Sequence, residues 1–314
     1  MAGIPDLRAI RDADITVARE RADARLLAEM LARENAGHSE QESVLAFGDF
    51  VANERRRHSG ALALRTGDEV LAEWQGLDQE APNARVVLDV GCGLGSLLEA
   101  AARRWPVCVG VDTDLRALVV ARHRLQQAGI RARLVCANVD ALPFADGLFD
   151  RVVARSILEL SPRKERALRE WNRMLSPRGR LWIATSNRWS VSRDPQLGIP
   201  AVSWLPVRLL DWWAKWHGLS LPQRALVGTR RLRRLLEETG FDRVRLGEPI
   251  SDESNGASEP GWRAMIKGHK SLSDLPLVRG LAKQVNPILF ATAQPAPRMP
   301  RRVAYERYVA RLAV

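Results

Sequence analysis

The sequence predicts an α/β fold: a doubly wound, mostly parallel sheet of seven strands, preceded by helices and interrupted by helical insertions. Two observations from residue 85 onward carry the prediction. Short apolar runs alternate with helix-patterned stretches, and the turns between them are short. That rhythm makes right-handed βαβ units, because parallel neighbours need a crossover connection. A third observation sets the scale. With 314 residues, 46% apolar and 27% charged, the chain is neither disordered nor collagen-like and can bury a sizeable core.

The elements follow in order. Residues 6–76 read as helical: Leu26, Leu27, Met30 and Leu31 recur at helical spacing, and Ser39-Glu40-Gln41-Glu42 and Thr66-Gly67-Asp68-Glu69 have the form of capping boxes. Residues 79–83 are a break. Strands are predicted over 85–90, 107–112, 131–136, 149–154 and 180–185, with helices over 96–104, 115–128 and 164–175. Ser176-Pro177-Arg178-Gly179 reads as the stop of the third helix. A Trp- and Pro-rich insertion follows. Then come a helix over 230–239, a strand at 244–246, a polar loop, an amphipathic stretch from Leu272 to Val285, and a last strand over 287–292. The resulting division is a helical cap (1–84), the core of the sheet (85–186), a Trp-rich helical lid (187–229), a completion of the sheet (230–294, with an insertion at 251–285) and a basic tail (295–314).

The net charge of +11 is uneven. Residues 178–238 hold eleven Lys/Arg against four Asp/Glu, and residues 263–314 hold ten against two, so the rest of the chain sums to −4. Such basic regions attract an acidic substrate, a nucleic acid or an anionic membrane, or are solvated surface. The amphipathic stretch and the basic tail can give peripheral contact with an anionic membrane, although packing on the sheet is the commoner use of such segments. Three cysteines make no disulfide framework. Cys92, Cys108 and Cys136 fall in or beside core strands without metal-ligand spacing, so they read as packing residues and no metal is expected. Neither a secretory start nor an apolar run of about 18 residues is seen, and the expectation is a cytoplasmic, bacterial protein.

The chemistry centres on Gly91-Cys92-Gly93-Leu94-Gly95, a turn between a strand and a helix that lets backbone approach a ligand closely. The dinucleotide fingerprint is G-x-G-x-x-G. Here the spacing is G-x-G-x-G, with Asp89 two residues before the first glycine, where a carboxylate repels a pyrophosphate and suits a cationic ligand. Asp112 lies 21 residues after Gly91 at the end of the next strand, where a carboxylate can accept from ribose hydroxyls.

In this setting Val87-Leu88-Asp89-Val90-Gly91-Cys92-Gly93-Leu94-Gly95 resembles the first motif of class I S-adenosylmethionine-dependent methyltransferases, in their small-molecule branch. Four further stretches match in order: Asp112; Asn138-Val139-Asp140-Ala141-Leu142-Pro143-Phe144 with Asp146-Gly147-Leu148-Phe149-Asp150; Ile157-Leu158-Glu159-Leu160; and Leu175-Ser176-Pro177-Arg178-Gly179-Arg180-Leu181. The resemblance implies a Rossmann-like sheet and S-adenosylmethionine as cofactor. Asp89 and the backbone of Gly91, Cys92, Gly93 and Gly95 would hold its methionine portion. Asp112 with Thr113 would hold the ribose, Asn138 and Val139 the adenine, and Arg155 and Ser156 would line the floor. Asn138 stands where many members have Asp, and its carbonyl can serve the same role. Leu160 replaces a frequent His, so no base carries over from there. Asp150 and Glu159 otherwise read as turn and helix-surface acids.

The reaction implied is in-line methyl transfer to a small-molecule acceptor, natural-product or lipid-like and conceivably anionic. The lid packs five Trp into 29 residues. Arg188, Trp189, Trp212 and Trp213 are the candidate acceptor residues, set against the plainer reading that these Trp fix the lid to the sheet. His217, in the lid, is a weak candidate for a general base. Two alternatives stay open: an RNA methyltransferase using the basic surface, although no stable nucleic-acid partner is expected without the amino-methylating element or an RNA-binding module, and a non-catalytic scaffold of the same fold. The acceptor atom and the oligomeric state are not legible here.

Overall fold

The computed structural model describes residues 4, 6, 84–189, 204, 209, 212, 216, 225–247 and 288–296. The helices read over 6–76, the stretch at 272–285, the tail, Trp213 and His217 lie outside the described residues.

The sheet has seven strands: β1 (Val86–Val90), β2 (Val107–Asp112), β3 (Arg133–Cys136), β4 (Phe149–Arg155), β5 (Leu175–Ser186), β6 (Phe241–Gly247) and β7 (Ile288–Pro295). Their order is β3-β2-β1-β4-β5-β7-β6. The first five pair in parallel, and β7 runs antiparallel to both neighbours. β1 is central, with Val90 level with Val111 on one side and Ala154 on the other. All five of its residues are buried, which explains why it is apolar at every position but Asp89.

Helices cover both faces: α1 (Ser96–Ala102), α2 (Leu115–Gln127), α3 (Lys164–Met174) and α4 (Thr229–Glu238). The pleat divides β1 between them. Val87 joins Leu97, Leu98, Leu115 and Leu118 of α1 and α2, while Val86, Leu88 and Val90 join Leu168 and Trp171 of α3 and Leu232 and Leu235 of α4. Ile4 is buried in the first of these layers, and Asp6 makes a parallel bridge to Cys136 beside β3.

Two expectations need correction. The stop read at 176–179 lies inside β5. Leu175 is already level with Phe149, and the register shifts before Arg180 meets Arg151, so Pro177 sits, exposed, in a strand irregularity that needs no N–H donor. Asp150 is more than a turn acid: its Oδ2 accepts from the Arg85 and Val86 N–H groups at 2.9 and 3.1 Å, tying the start of β1 to β4. Among the described residues, no helix is long and apolar enough to cross a membrane and no cluster of His, Cys, Asp or Glu could hold a metal.

Candidate functional site: the glycine turn and the strand ends beside it

Parallel strands bring the ends of β1, β2, β3, β4 and β5 to one edge of the sheet. There the chain leaves β1 through a turn in which Gly91, Gly93 and Gly95 all have positive φ, at 75°, 50° and 78°. The Gly91 and Cys92 N–H groups donate to the Val111 carbonyl at 2.8 and 3.0 Å, which bends the turn over the end of β2. A Cβ on Gly91 would stand 2.8 Å from the Ile157 side chain, so the turn nests directly on the loop after β4. A Cβ on Gly93 would meet nothing within 4 Å. The concave side of the turn is open there. From α2, Arg124 donates to the Leu94 carbonyl at 2.9 Å and the Ser96 hydroxyl at 3.2 Å, fixing the far side of the turn.

Two carboxylates flank this opening and differ in state. Asp112 is held by two N–H groups, Gly93 to its Oδ2 at 2.9 Å and Asp114 to its Oδ1 at 3.0 Å. Asp89 is 3% exposed, and its Oδ2 accepts no hydrogen bond. Burial pushes its carboxyl up to about 7; Arg155 pulls it down and Asp112 pushes it further up. A buried acid with one oxygen left without a hydrogen bond, balanced in part by Arg155, suits a cationic ligand. Cys92 is buried in the same turn, and burial together with Asp89 and Asp112 pushes its thiol well up, so its sulfur is no nucleophile. The Cys108 thiol is likewise pushed up to about 12 by burial.

The third strand end carries Asn138 and Val139, both half-buried, with Thr113 exposed at the end of β2. Asp112 is level with Cys136, and the Ala137 N–H donates to the Asp112 carbonyl at 3.0 Å, so this loop continues directly from the acid. α3 clamps it. Trp171 Nε1 donates to the Val139 carbonyl at 2.9 Å, Arg166 to the Asp140 carbonyl at 3.0 Å, and Arg173 to the Phe144 carbonyl at 2.8 Å, while Glu170 accepts from the Leu142 N–H at 3.1 Å. Arg163 pairs with the buried Asp140 at 2.7 Å. Residues 163, 166, 170 and 173 form an i, i+3, i+7, i+10 stripe on α3, a signal present in the sequence but not used.

The floor is built from the loop after β4. Arg155 is half-buried, and Ser156 has a left-handed φ of 51° with its N–H donating to the Ala184 carbonyl at 2.7 Å. Such a backbone in a non-glycine residue stores strain, of order 1 kcal/mol or more. Glu159 was expected on a helix surface and is instead 4% exposed. Its Oε2 accepts from the Thr185 hydroxyl at 2.7 Å and its Oε1 from the Ser186 hydroxyl at 3.0 Å. It joins the floor to the end of β5. Sequence reasoning missed this because the partners lie 26 and 27 residues away.

The lid residues part company. Asn187 is buried, bridges to Val227 and accepts from the Trp189 N–H at 3.0 Å. The Trp189 ring lies against Gly228, with the Arg188 guanidinium 5.8 Å from its centre. Arg188 and Trp189 therefore stand just past β5, at the same sheet edge as the glycine turn. The lid Trp were expected to pack onto the sheet; Trp189 packs on Gly228 yet is 49% exposed, and Trp204, Trp212 and Trp216 are 50 to 74% exposed. Trp212 lies edge-on to Trp216, with centroids 5.1 Å apart.

Comparison with known proteins agrees with this geometry. Residues 88–183 match the family described as a methyltransferase domain. An uncharacterised methyltransferase of Mycobacterium sp. (strain KMS) is 35% identical over 130 residues, 41% of this chain and 50% of that protein. Methyltransferase GfsG of Streptomyces halstedii is 40% identical over 101 residues, covering 31% of this chain and 36% of its own. The ubiquinone biosynthesis O-methyltransferase of Coxiella burnetii (strain Dugway 5J108-111) is 31% identical over 102 residues, 32% and 44% of the two chains. The chain thus spans half or less of the length of these curated relatives. The matched stretch runs from β1 through the glycine turn into β5, and over residues 88–183 the chain is similar to a methyltransferase domain.

Proposed function

We propose that the chain transfers a methyl group from S-adenosylmethionine to a small-molecule acceptor of lipid-like or natural-product character. The observation that carries the reading is Asp89, buried at the end of β1 with an oxygen that accepts no hydrogen bond, beside a glycine turn open at Gly93. These residues fit a cationic adenosyl donor. A diphosphate in the same place would face two carboxylates, Asp89 and Asp112, with only Arg155 as counter-charge in the Asp89 environment.

The donor, when bound, supplies a methyl group already activated on a sulfonium, so the chain has to bind, orient and exclude water. Asp89 compensates the positive charge of the donor's methionine end. Asp112, oriented by the Gly93 and Asp114 N–H groups at the end of β2, would accept from the ribose hydroxyls. Asn138 and Val139, on the loop that α3 clamps, would border the adenine, and Arg155 and Ser156 would form the floor. On the acceptor side, Arg188 and Trp189 offer a cation and an aromatic face next to the floor. Glu159 is a positioning residue, since both its oxygens are taken by Thr185 and Ser186. The name of one relative, a ubiquinone biosynthesis O-methyltransferase, supports a small-molecule acceptor.

Titration calorimetry with S-adenosylmethionine tests the reading, together with release of S-adenosylhomocysteine in the presence of hydroxylated and amine-bearing lipid-like acceptors. Asp112→Ala is expected to weaken donor binding by roughly 30-fold or more, as befits lost charge-assisted hydrogen bonds. Absent binding by the native chain, or equal binding by the variant, overturns it.

A further inference from the structure

We infer that the Trp-rich segment after β5 is a docking face for an anionic membrane surface. Leu209, Trp212 and Trp216 have helical backbone and are 55, 59 and 74% exposed. Their spacing of i, i+3 and i+7 puts them on one face of a helix. Trp189 and Trp204 add a second aromatic pair, 6.2 Å apart and half exposed. Four of the chain's ten Trp are thus turned to solvent, whereas Trp105, Trp171 and Trp182, in the sheet domain, are at most 5% exposed. Large side chains gathered and left uncovered mark an interaction surface rather than ordinary surface scatter.

The chemistry of the residues selects the occupant. Indole has an apolar body and one N–H, which suits the boundary between acyl chains and headgroups better than a dry protein core. Charge complements it. Residues 187–228 carry Arg188, Arg193, Arg208, Lys215 and Arg224 against Asp194 and Asp211, and the whole chain is +11. Arg188 lies over the Trp189 ring, so cation and indole are presented together. Basic residues beside an apolar helical stripe are what an anionic leaflet attracts and a neutral one does not. Trp189 follows the end of β5 by three residues, which puts the Trp189–Trp204 pair at the same sheet edge as the glycine turn. A docked chain would hold that edge near the bilayer. The docking itself does not depend on the methyl-transfer reading.

The test is co-sedimentation of the full chain with vesicles of equal parts phosphatidylglycerol and phosphatidylcholine, with Trp emission followed in parallel. The native chain is expected to sediment with them, to shift its emission to the blue and to bind pure phosphatidylcholine far more weakly. The triple variant Leu209→Ser, Trp212→Ser, Trp216→Ser should retain its circular dichroism, since its side chains are exposed, and lose at least roughly tenfold in partitioning. Unchanged partitioning of that variant, equal binding to neutral vesicles, or no sedimentation at all would overturn the inference. So would a native dimer that the variant converts to monomer and that vesicles fail to dissociate, which would give the face to a second copy. Donor titration without vesicles reads the methyl-transfer proposal separately.

Discussion

Acidifying the solution should loosen S-adenosylmethionine, and Asp89 supplies the reason. Its carboxyl is pushed up to about 7 by burial, with Asp112 adding to the push and Arg155 opposing it. A cationic donor engages the ionised form, so below that value each binding event must first expel a proton. With a free-state value of about 7 and a bound-state value well below 5.5, the ionised fraction falls from about three-quarters at pH 7.5 to about 3% at pH 5.5. Affinity should then drop roughly 25-fold over that interval. Calorimetry in buffers of different ionisation enthalpy reads both the affinity and the proton released. In Asp89→Asn, affinity at about pH 7.5 should be lower, and the slope should vanish. A flat native profile, or an equal slope in Asp89→Asn, would refute the reasoning. Stability has the opposite sign. The unfolded carboxyl ionises near 3.8 and the folded one only near 7. Ligand-free stability should therefore decline between about pH 4 and pH 7, by up to about 4 kcal/mol from this group, and donor binding should recover part of the loss.

Substitutions at four positions probe the rest of the site. Gly91→Ala, at φ 75° and 2.8 Å from Ile157, should destabilise by about 2 kcal/mol, whereas Gly93→Ala, whose Cβ meets nothing, should cost about 1 kcal/mol for its left-handed backbone and weaken the donor about tenfold; thermal melts and titrations separate the two. Glu159→Ala leaves the buried Thr185 hydroxyl and the half-buried Ser186 without their acceptor and should lower stability by about 2 kcal/mol in denaturant melts, with Glu159→Gln recovering most of it. Trp171→Phe keeps the aromatic core but removes the donor to the Val139 carbonyl, so it should cost about 1 kcal/mol and raise the KM for the donor more than it lowers kcat.

The parts of this molecule that are legible in its sequence are those set by local chemistry. β1 announces itself because a strand buried on both faces is apolar at every position except Asp89, and that exception is the residue the site depends on. The glycine turn is legible because three positive φ angles in five residues admit few alternatives. What escaped is decided by neighbours far along the chain. Glu159 reads as a surface acid until the end of β5 arrives beside it. The segment 176–179 has the composition of a helix stop, yet Leu175 already pairs with Phe149. The lid Trp read as core residues because indole usually finds cover, and whether it does depends on what else reaches the same face. No periodicity could have placed β7 between β5 and β6.

That placement bears on synthesis. β6 has one sheet neighbour, β7, and forty residues separate Gly247 from Ile288. As the polypeptide leaves the ribosome, β1 to β5 can zip together stepwise, each strand finding a partner already made. β6 emerges before β7, its sheet partner among the described residues, and its amide groups stay hydrated until that strand arrives. Closure of that rim therefore waits until the codons for β7 are read, and a message cut short before codon 288 would leave β1 to β5 paired and β6 without β7.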